Sequence, residues 1–258
     1  MARFPRLPLA LLAIGSTMAA SLAVVGAPGV AEGGTTPLPE RLTHIGDSRQ
    51  VVVVTTRNWN TSYARLQTWQ QTQTGEWVRV VAPIQARVGW NGVRRAANRK
   101  QNTGTTPAGT FALPRGFGLA KPSGVDLPYR LVDQNDWWPY DPTDPKTYNV
   151  LQPHRVKHAK WRTAWGERLA SYRTQYRYAV VLDYNLPSTI TWRNGQRIAL
   201  EPADTSAGGG IFLHVNGSGA TAGCISIPRD QMRRVLKWLD PSLDPVIVIG
   251  PRDVIEKM

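Results

Sequence analysis

The sequence predicts a mainly-β domain with one or two short helices. Three observations predict it: short β-branched and aromatic runs recur between turn residues, one stretch alone has strong helical spacing, and no internal repeat interrupts the pattern. The first strand is VVVVTT, Val51–Thr56, a β-branched apolar run that reads as buried. Residues 64–72, ARLQTWQQT, alternate like a half-exposed strand, and Thr74-Gly75 turns the chain into another strand over 76–90. Further strands are expected at 109–113, 129–133, 178–182, 211–215, 224–227 and 246–249. RDQMRRVLKWL, Arg229–Leu239, spaces Met232, Val235, Leu236 and Leu239 as a helix does; Pro228 suits its first turn and Asp240-Pro241 ends it. A second helix is read in HAKWRTAWGERLASYR, His158–Arg173. Between Asp133 and His158 the abundance of Trp, Pro, Asp and Tyr reads as a long ordered loop.

Arg3 and Arg6 open the chain, an apolar run follows from Leu7 to about Ala27, and Gly29-Val30-Ala31 offers a cleavage signal. This is the layout of a secretory signal peptide over 1–31. The rival is an uncleaved anchor, because the run approaches the ~20 residues that span a bilayer. Gly15, Ser16, Thr17 and Ser21 weaken that run, so no stable membrane span is expected and the mature protein is read as secreted. A Gly/Thr/Pro-rich linker is expected over 32–48, one domain over 49–251 and a short tail over 252–258. The net charge of +13 falls to +11 without Arg3 and Arg6 (13 − 2). The basic residues are scattered and no nucleic-acid-binding motif accompanies them, so the charge points to acidic polymers outside the cell and not to DNA or RNA.

Secreted proteins usually pair their cysteines, yet this chain has one, Cys224. It is a buried hydrophobe, a partner for another molecule, or a working thiol. Its neighbours favour work. In IFLHVNGSGATAGCISIP, Ile211–Pro228, strand alternation puts His214 on one face with Phe212 and Asn216. The small, Gly-rich run Asn216–Gly223 can then turn sharply and return Cys224 beside His214. A free thiol, with a pKa of ~8.5, is only a few per cent thiolate at neutral pH; an imidazole can take its proton and form a thiolate–imidazolium pair. Gly223 allows close backbone approach, and the amides of Gly223 and Cys224 can face a developing oxyanion. On residue types alone, a buried His and a buried Cys on adjacent strands remains the alternative.

The arrangement resembles the L,D-transpeptidase family, the YkuD-type catalytic domain. Its signature is a His, a loop, then Ser/Thr-His-Gly-Cys; here His214 is followed by Thr221-Ala222-Gly223-Cys224. The family's upstream Thr-Pro-x-Gly-x-Phe segment matches Thr106-Pro107-Ala108-Gly109-Thr110-Phe111. The segment around Cys224 is similar to a secreted actinobacterial branch, and the resemblance runs from about Val51 to Ile249. Papain-like enzymes place Cys before His, and sortases place the two far apart with a downstream Arg. Two departures stand out: Ala222 replaces the second motif histidine, leaving Cys224 to rely on His214, and Ser226 stands where Asn or Arg is often found.

The resemblance implies a β-sandwich of mixed sheets. It also implies peptidoglycan stem peptides as substrates, Cys224 as nucleophile, His214 as general base and acid, and Gly223 as an oxyanion amide. Asn216, Ser218, Thr221 and Ser226 are the substrate-binding candidates, and a carbonyl near Val215 would orient the imidazole. The chemistry calls for no cofactor and no metal, and carbapenem-type β-lactams are the inhibitors it implies. An L,D-carboxypeptidase and a non-catalytic wall-binding protein are the alternatives on the same fold. The Thr106–Phe111 segment reads as scaffold near the cleft. His154 and His158, four apart, offer a metal pair without an evident third ligand. Trp59, Trp69, Trp77 and Trp238 sit in core-like patterns, while Trp137-Trp138 can pack or face glycan. Arg94, Arg95, Arg99 and Lys100 read either as partners for stem carboxylates or as a solvated loop.

Overall fold

The structure is a computed structural model that describes residues 36–258. The expected signal peptide and the first residues of the linker lie outside the described residues. The strands in chain order are β1 (Gln50–Thr56), β2 (Tyr63–Gln71), β3 (Trp77–Arg87), β4 (Val93–Arg95), β5 (Thr106–Ala112), β6 (Arg115–Gly118), β7 (Tyr129–Leu131), β8 (Trp137–Pro139), β9 (Gly166–Arg168), β10 (Ala179–Val181), β11 (Ile190–Arg193), β12 (Gln196–Ala199), β13 (Phe212–Val215), β14 (Ile225–Ile227) and β15 (Val246–Pro251). The helices are α1 (Leu38–Arg41) and α2 (Arg229–Trp238). The mainly-β expectation holds.

Eleven strands form one mixed ladder in the order β4-β5-β15-β1-β2-β3-β14-β13-β10-β6-β7. Strand β1 runs parallel to β15 and antiparallel to β2, and Val51–Val54 are fully buried, as a continuous β-branched run requires. The ladder folds over on itself. Strand β5, one in from an edge, reaches the far half of the sheet: the Thr106 hydroxyl donates to the Cys224 carbonyl at 3.3 Å. At the other end of β5, the Ala112 amide donates to the Asp183 carboxylate at 2.8 Å. Between the layers lies a core that includes Val52, Leu66, Phe111, Leu213, Ile225 and Ile247, closed by Met232, Val235 and Leu236 of α2. A second cluster gathers Phe117, Trp138, Leu169, Tyr176 and Phe212, with Cys224 packed against it. Alternation along β13 and the residue before it makes this division: Ile211, Leu213 and Val215 enter the first core and Phe212 the second.

The second expected helix is absent. Residues 158–173 instead form two 3₁₀ turns, Thr163–Trp165 and Leu169–Ser171, on either side of β9, which pairs with β8. Backbone bonds to residues 136–140 outcompete local helix: the Tyr140 amide donates to the Trp165 carbonyl, and the Leu169 amide to the Asp136 carbonyl. Buried Trp161 lies against Gly166, and the Arg162 guanidinium grips Asp141 at 2.7 and 2.8 Å. The long ordered loop before it is packed inward, with Trp138, Tyr148 and Asn149 buried. The stretch expected as linker packs on the tail: Leu42 is buried, Arg41 pairs with Glu256 at 2.8 Å, and the Thr43 amide donates to the Glu256 carbonyl. Among the described residues no helix is long and apolar enough to cross a membrane.

Asn149 ties the loop to the sheet. Its carboxamide oxygen accepts from the Trp138 indole and the Gly210 amide, both at 2.8 Å, and its amide donates to the Asn185 carbonyl at 2.6 Å. Asn149→Ala leaves the buried Trp138 indole and the half-buried Gly210 amide unpaired, and the expected loss is about 2–4 kcal/mol of unfolding free energy. A urea transition measures it; an unchanged midpoint would contradict the role.

Candidate functional site

Strands β13 and β14 are parallel neighbours, with His214 in register with Ser226. Cys224, two residues before Ser226, therefore comes level with Phe212 on the face that carries His214. The nine residues 216–224 join the strands without a helix. Gly223 in that loop has φ +150°, and a Cβ there would meet the Arg99 guanidinium at 3.0 Å and the Thr105 carbonyl at 3.1 Å. Only glycine fits the position.

His214 is buried, and its Nδ1 lies 2.8 Å from the Val215 carbonyl. A carbonyl can only accept, so Nδ1 carries the proton and Nε2 keeps a free lone pair. The Tyr176 ring packs edge-on against the imidazole, centroids 5.7 Å apart. Burial pushes the imidazole pKa down to about 4, against the weaker upward pull of the Val215 carbonyl. The Cys224 Sγ–H donates to the Gly210 carbonyl at 3.3 Å. Burial, then the nearby Glu167 carboxylate, push the thiol up to about 12, while the Phe212 amide and the Arg99 guanidinium pull the other way. Low polarity thus penalises both charges of the expected thiolate–imidazolium pair and favours the neutral thiol and neutral imidazole.

Glu167 is a residue the sequence did not single out. The Tyr176 hydroxyl donates to its carboxylate, and burial raises its pKa to about 7. Tyr176 links the group, since its ring touches His214 and its hydroxyl holds Glu167.

The substrate-binding candidates separate. Thr221 is buried; its hydroxyl donates to the Cys224 carbonyl at 2.6 Å and accepts from the Gly223 amide at 3.2 Å. It shapes the loop, and the Gly223 amide is engaged with it. Ser226 is fully buried with its hydroxyl unpaired, because β14 is covered on both faces. Asn216 is partly buried with an unpaired side-chain oxygen, and Ser218 is exposed. Of the basic cluster, Arg99 alone is buried: its Nε donates to the Thr105 carbonyl at 2.8 Å and its Nη1 to the Ala207 carbonyl at 2.7 Å. Thr106 anchors β5 to the site, accepting from the Gly89 amide at 2.8 Å and donating to Cys224. Trp138 is a buried packing residue, and His154 stacks near Trp192, centroids 6.4 Å apart.

A family model for the L,D-transpeptidase catalytic domain, YkuD, matches residues 48–248, from just before β1 into β15 and across every residue of this site. The chain belongs to the YkuD family. Among solved structures it is similar to the crystal structure of Mycobacterium tuberculosis L,D-transpeptidase 1, with 12% identity and a TM-score of 0.31 over 79% of this chain. The chain spans 62% of the length of that structure. No curated protein matches the chain.

The electrostatics of this YkuD site give a direct test. Alkylation of Cys224 by iodoacetamide is expected to stay slow well above the ~8.5 of a free thiol. Glu167→Gln removes a neighbouring negative charge above the Glu167 pKa of about 7 and so lowers the thiol pKa. Alkylation should therefore speed up several-fold in the variant at alkaline pH and match wild type in acid, where Glu167 is already protonated. Equal rates throughout would remove Glu167 from the thiol's surroundings.

Proposed function

We propose that this domain is an extracytoplasmic L,D-transpeptidase that cross-links peptidoglycan stem peptides through a thioester on Cys224. The observation that carries the reading is the His214 tautomer, fixed by the Val215 carbonyl with Nε2 free, on the strand beside the lone thiol. In the proposed reaction Sγ attacks the carbonyl of the third stem residue as its proton passes to Nε2. The tetrahedral intermediate collapses, the bond to the terminal D-alanine breaks, and the imidazolium protonates the departing amine. A side-chain amine of a second stem then attacks the thioester and passes its proton to His214; the C–S bond breaks and the thiol is restored, giving a 3→3 cross-link. Because both groups start neutral, proton transfer accompanies attack. The oxyanion falls to the Cys224 amide, joined by the Gly223 amide when Thr221 releases it.

Arg99 supplies positive charge beside Gly223, and a polar cavity of about 620 Å³ lined by Arg94, Asn98, Lys100, Thr103 and Thr105 lies next to it. We assign that cavity to stem carboxylates. Carbapenem-type β-lactams would acylate the same thiol. Two observations favour a wall-binding protein without catalysis: burial favours the protonated thiol, and Ala222 removes a second imidazole.

Intact-mass spectrometry of wild type and Cys224→Ala with a tetrapeptide-stem disaccharide decides. The expected result is an acyl adduct on wild type only, with cross-linked dimer in solution. An adduct that decays to free tripeptide identifies a carboxypeptidase. Folded protein that gives neither adduct nor product supports the wall-binding reading.

A further inference from the structure

Three arginines from three separate strands line one cavity of about 250 Å³: Arg115 of β6, Arg130 of β7 and Arg197 of β12. The Phe117, Tyr129 and Trp138 rings form apolar walls. A guanidinium does not lose its proton in a protein, so each arginine brought into such a space needs a partner. Arg130 has one: its Nε and Nη2 donate to the buried Asp136 carboxylate at 2.8 and 2.7 Å. Among the described residues the Arg197 side chain reaches only the Leu151 carbonyl, at 3.3 Å from Nη1. The Arg115 side chain has no hydrogen-bond or ion-pair partner among the described residues, although it is only partly exposed. Three cations against one carboxylate leave two positive charges uncompensated. Their mutual effect is visible: burial and Arg197 weaken proton binding at Arg115, and burial and Arg130 do so at Arg197.

We propose that this cavity binds a small organic dianion, a compact oxyanion head held by Arg115 and Arg197 with an apolar body against the rings. The forked guanidinium donors match the paired oxygens of phosphate or carboxylate. The volume lies below the ~300–1,000 Å³ of ordinary ligand pockets, so the ligand is of fragment size and not a polymer segment. Phosphate monoesters and dicarboxylates share this chemistry. The site is distinct from the thiol site and does not rest on catalysis at Cys224.

Calorimetric titration of the full chain tests it, with phenyl phosphate, phthalate and inorganic phosphate as probes. The expected result is one saturable site for phenyl phosphate or phthalate, or both, retained in Cys224→Ala, with inorganic phosphate weaker because it lacks the apolar body. Which organic anion binds tighter separates the two sources. Arg115→Gln and Arg197→Gln should each weaken binding by about tenfold or more, the worth of one charge-assisted contact. Without ligand, Arg115→Gln should unfold at the same or a higher temperature, because a like charge has been removed. No saturable binding of any probe to wild type, or unchanged affinity in both arginine variants, overturns the proposal. Should Arg115→Gln fail to fold, the affinity of Arg197→Gln decides alone.

Discussion

Two parallel strands joined by nine residues leave no room for the usual crossover of a dozen residues or more, and the site depends on that constraint. The loop between β13 and β14 must reverse direction and still deliver the chain into register beside its start. Gly223 absorbs the strain at φ +150°. Thr221 and Thr106 then clamp the next residue: both hydroxyls donate to the Cys224 carbonyl, one from within the loop and one from β5 across the fold. Cys224 is therefore held from two chain segments, and its position does not rest on the loop alone. Arg99 completes the clamp by bonding the Thr105 and Ala207 carbonyls around Gly223.

The same closeness sets the electrostatics. Segments packed this tightly exclude water, and a charge formed there loses its hydration. Both members of the Cys–His pair consequently favour their neutral forms. The sign for folding is the same at both ends. His214, with its pKa depressed, stabilises the fold above the unfolded value of ~6.5, and that contribution is lost as pH falls toward about 4. Cys224, with its pKa raised, keeps its proton as pH rises past the unfolded value, and its contribution is lost on the way toward about 12. Glu167 follows the sign of Cys224 but in the middle range: its protonated form is favoured in the fold, so stability from it declines as pH rises toward about 7. The site thus carries a cost near neutrality that a purely structural core would shed by replacing Glu167 with an apolar residue.

Local patterns made most of the frame legible. Val51–Val54 could only be a central strand, and Met232, Val235 and Leu236 could only face a core. The return of Cys224 to the sheet face of His214 was legible because strand alternation and a Gly-rich return are written in adjacent residues. What failed did so where distant segments decide. Residues 158–173 carry helix-forming residues, but their backbone groups pair with 136–140, which no local window contains. Arg99 looked like one of four loop cations and is the buried one. Thr221 and Ser226 looked accessible because they flank the thiol, yet strand packing turns both inward. Glu167 had no sequence signal: a single carboxylate becomes notable only once Tyr176 and the thiol surround it. Arg115, Arg130 and Arg197 lie far apart in the chain and meet only through the topology.

Alternation along β13 also explains how the two sites relate. Its odd-numbered residues are fixed in the main core, while Phe212 and His214 face the ring cluster. Phe117 and Trp138, which wall the arginine cavity, meet Phe212 edge-to-face at centroid distances of 5.0 and 4.8 Å. Tyr176 touches both Phe212 and His214, each at 5.7 Å. Rings packed at interior density do not shift independently. A ligand that orders Phe117 and Trp138 therefore bears on the face of β13 that carries the imidazole, while Leu213 and Val215 hold the strand itself in place. Any coupling between the cavity and the thiol would pass through rotation of side chains about a fixed backbone, not through movement of the sheet.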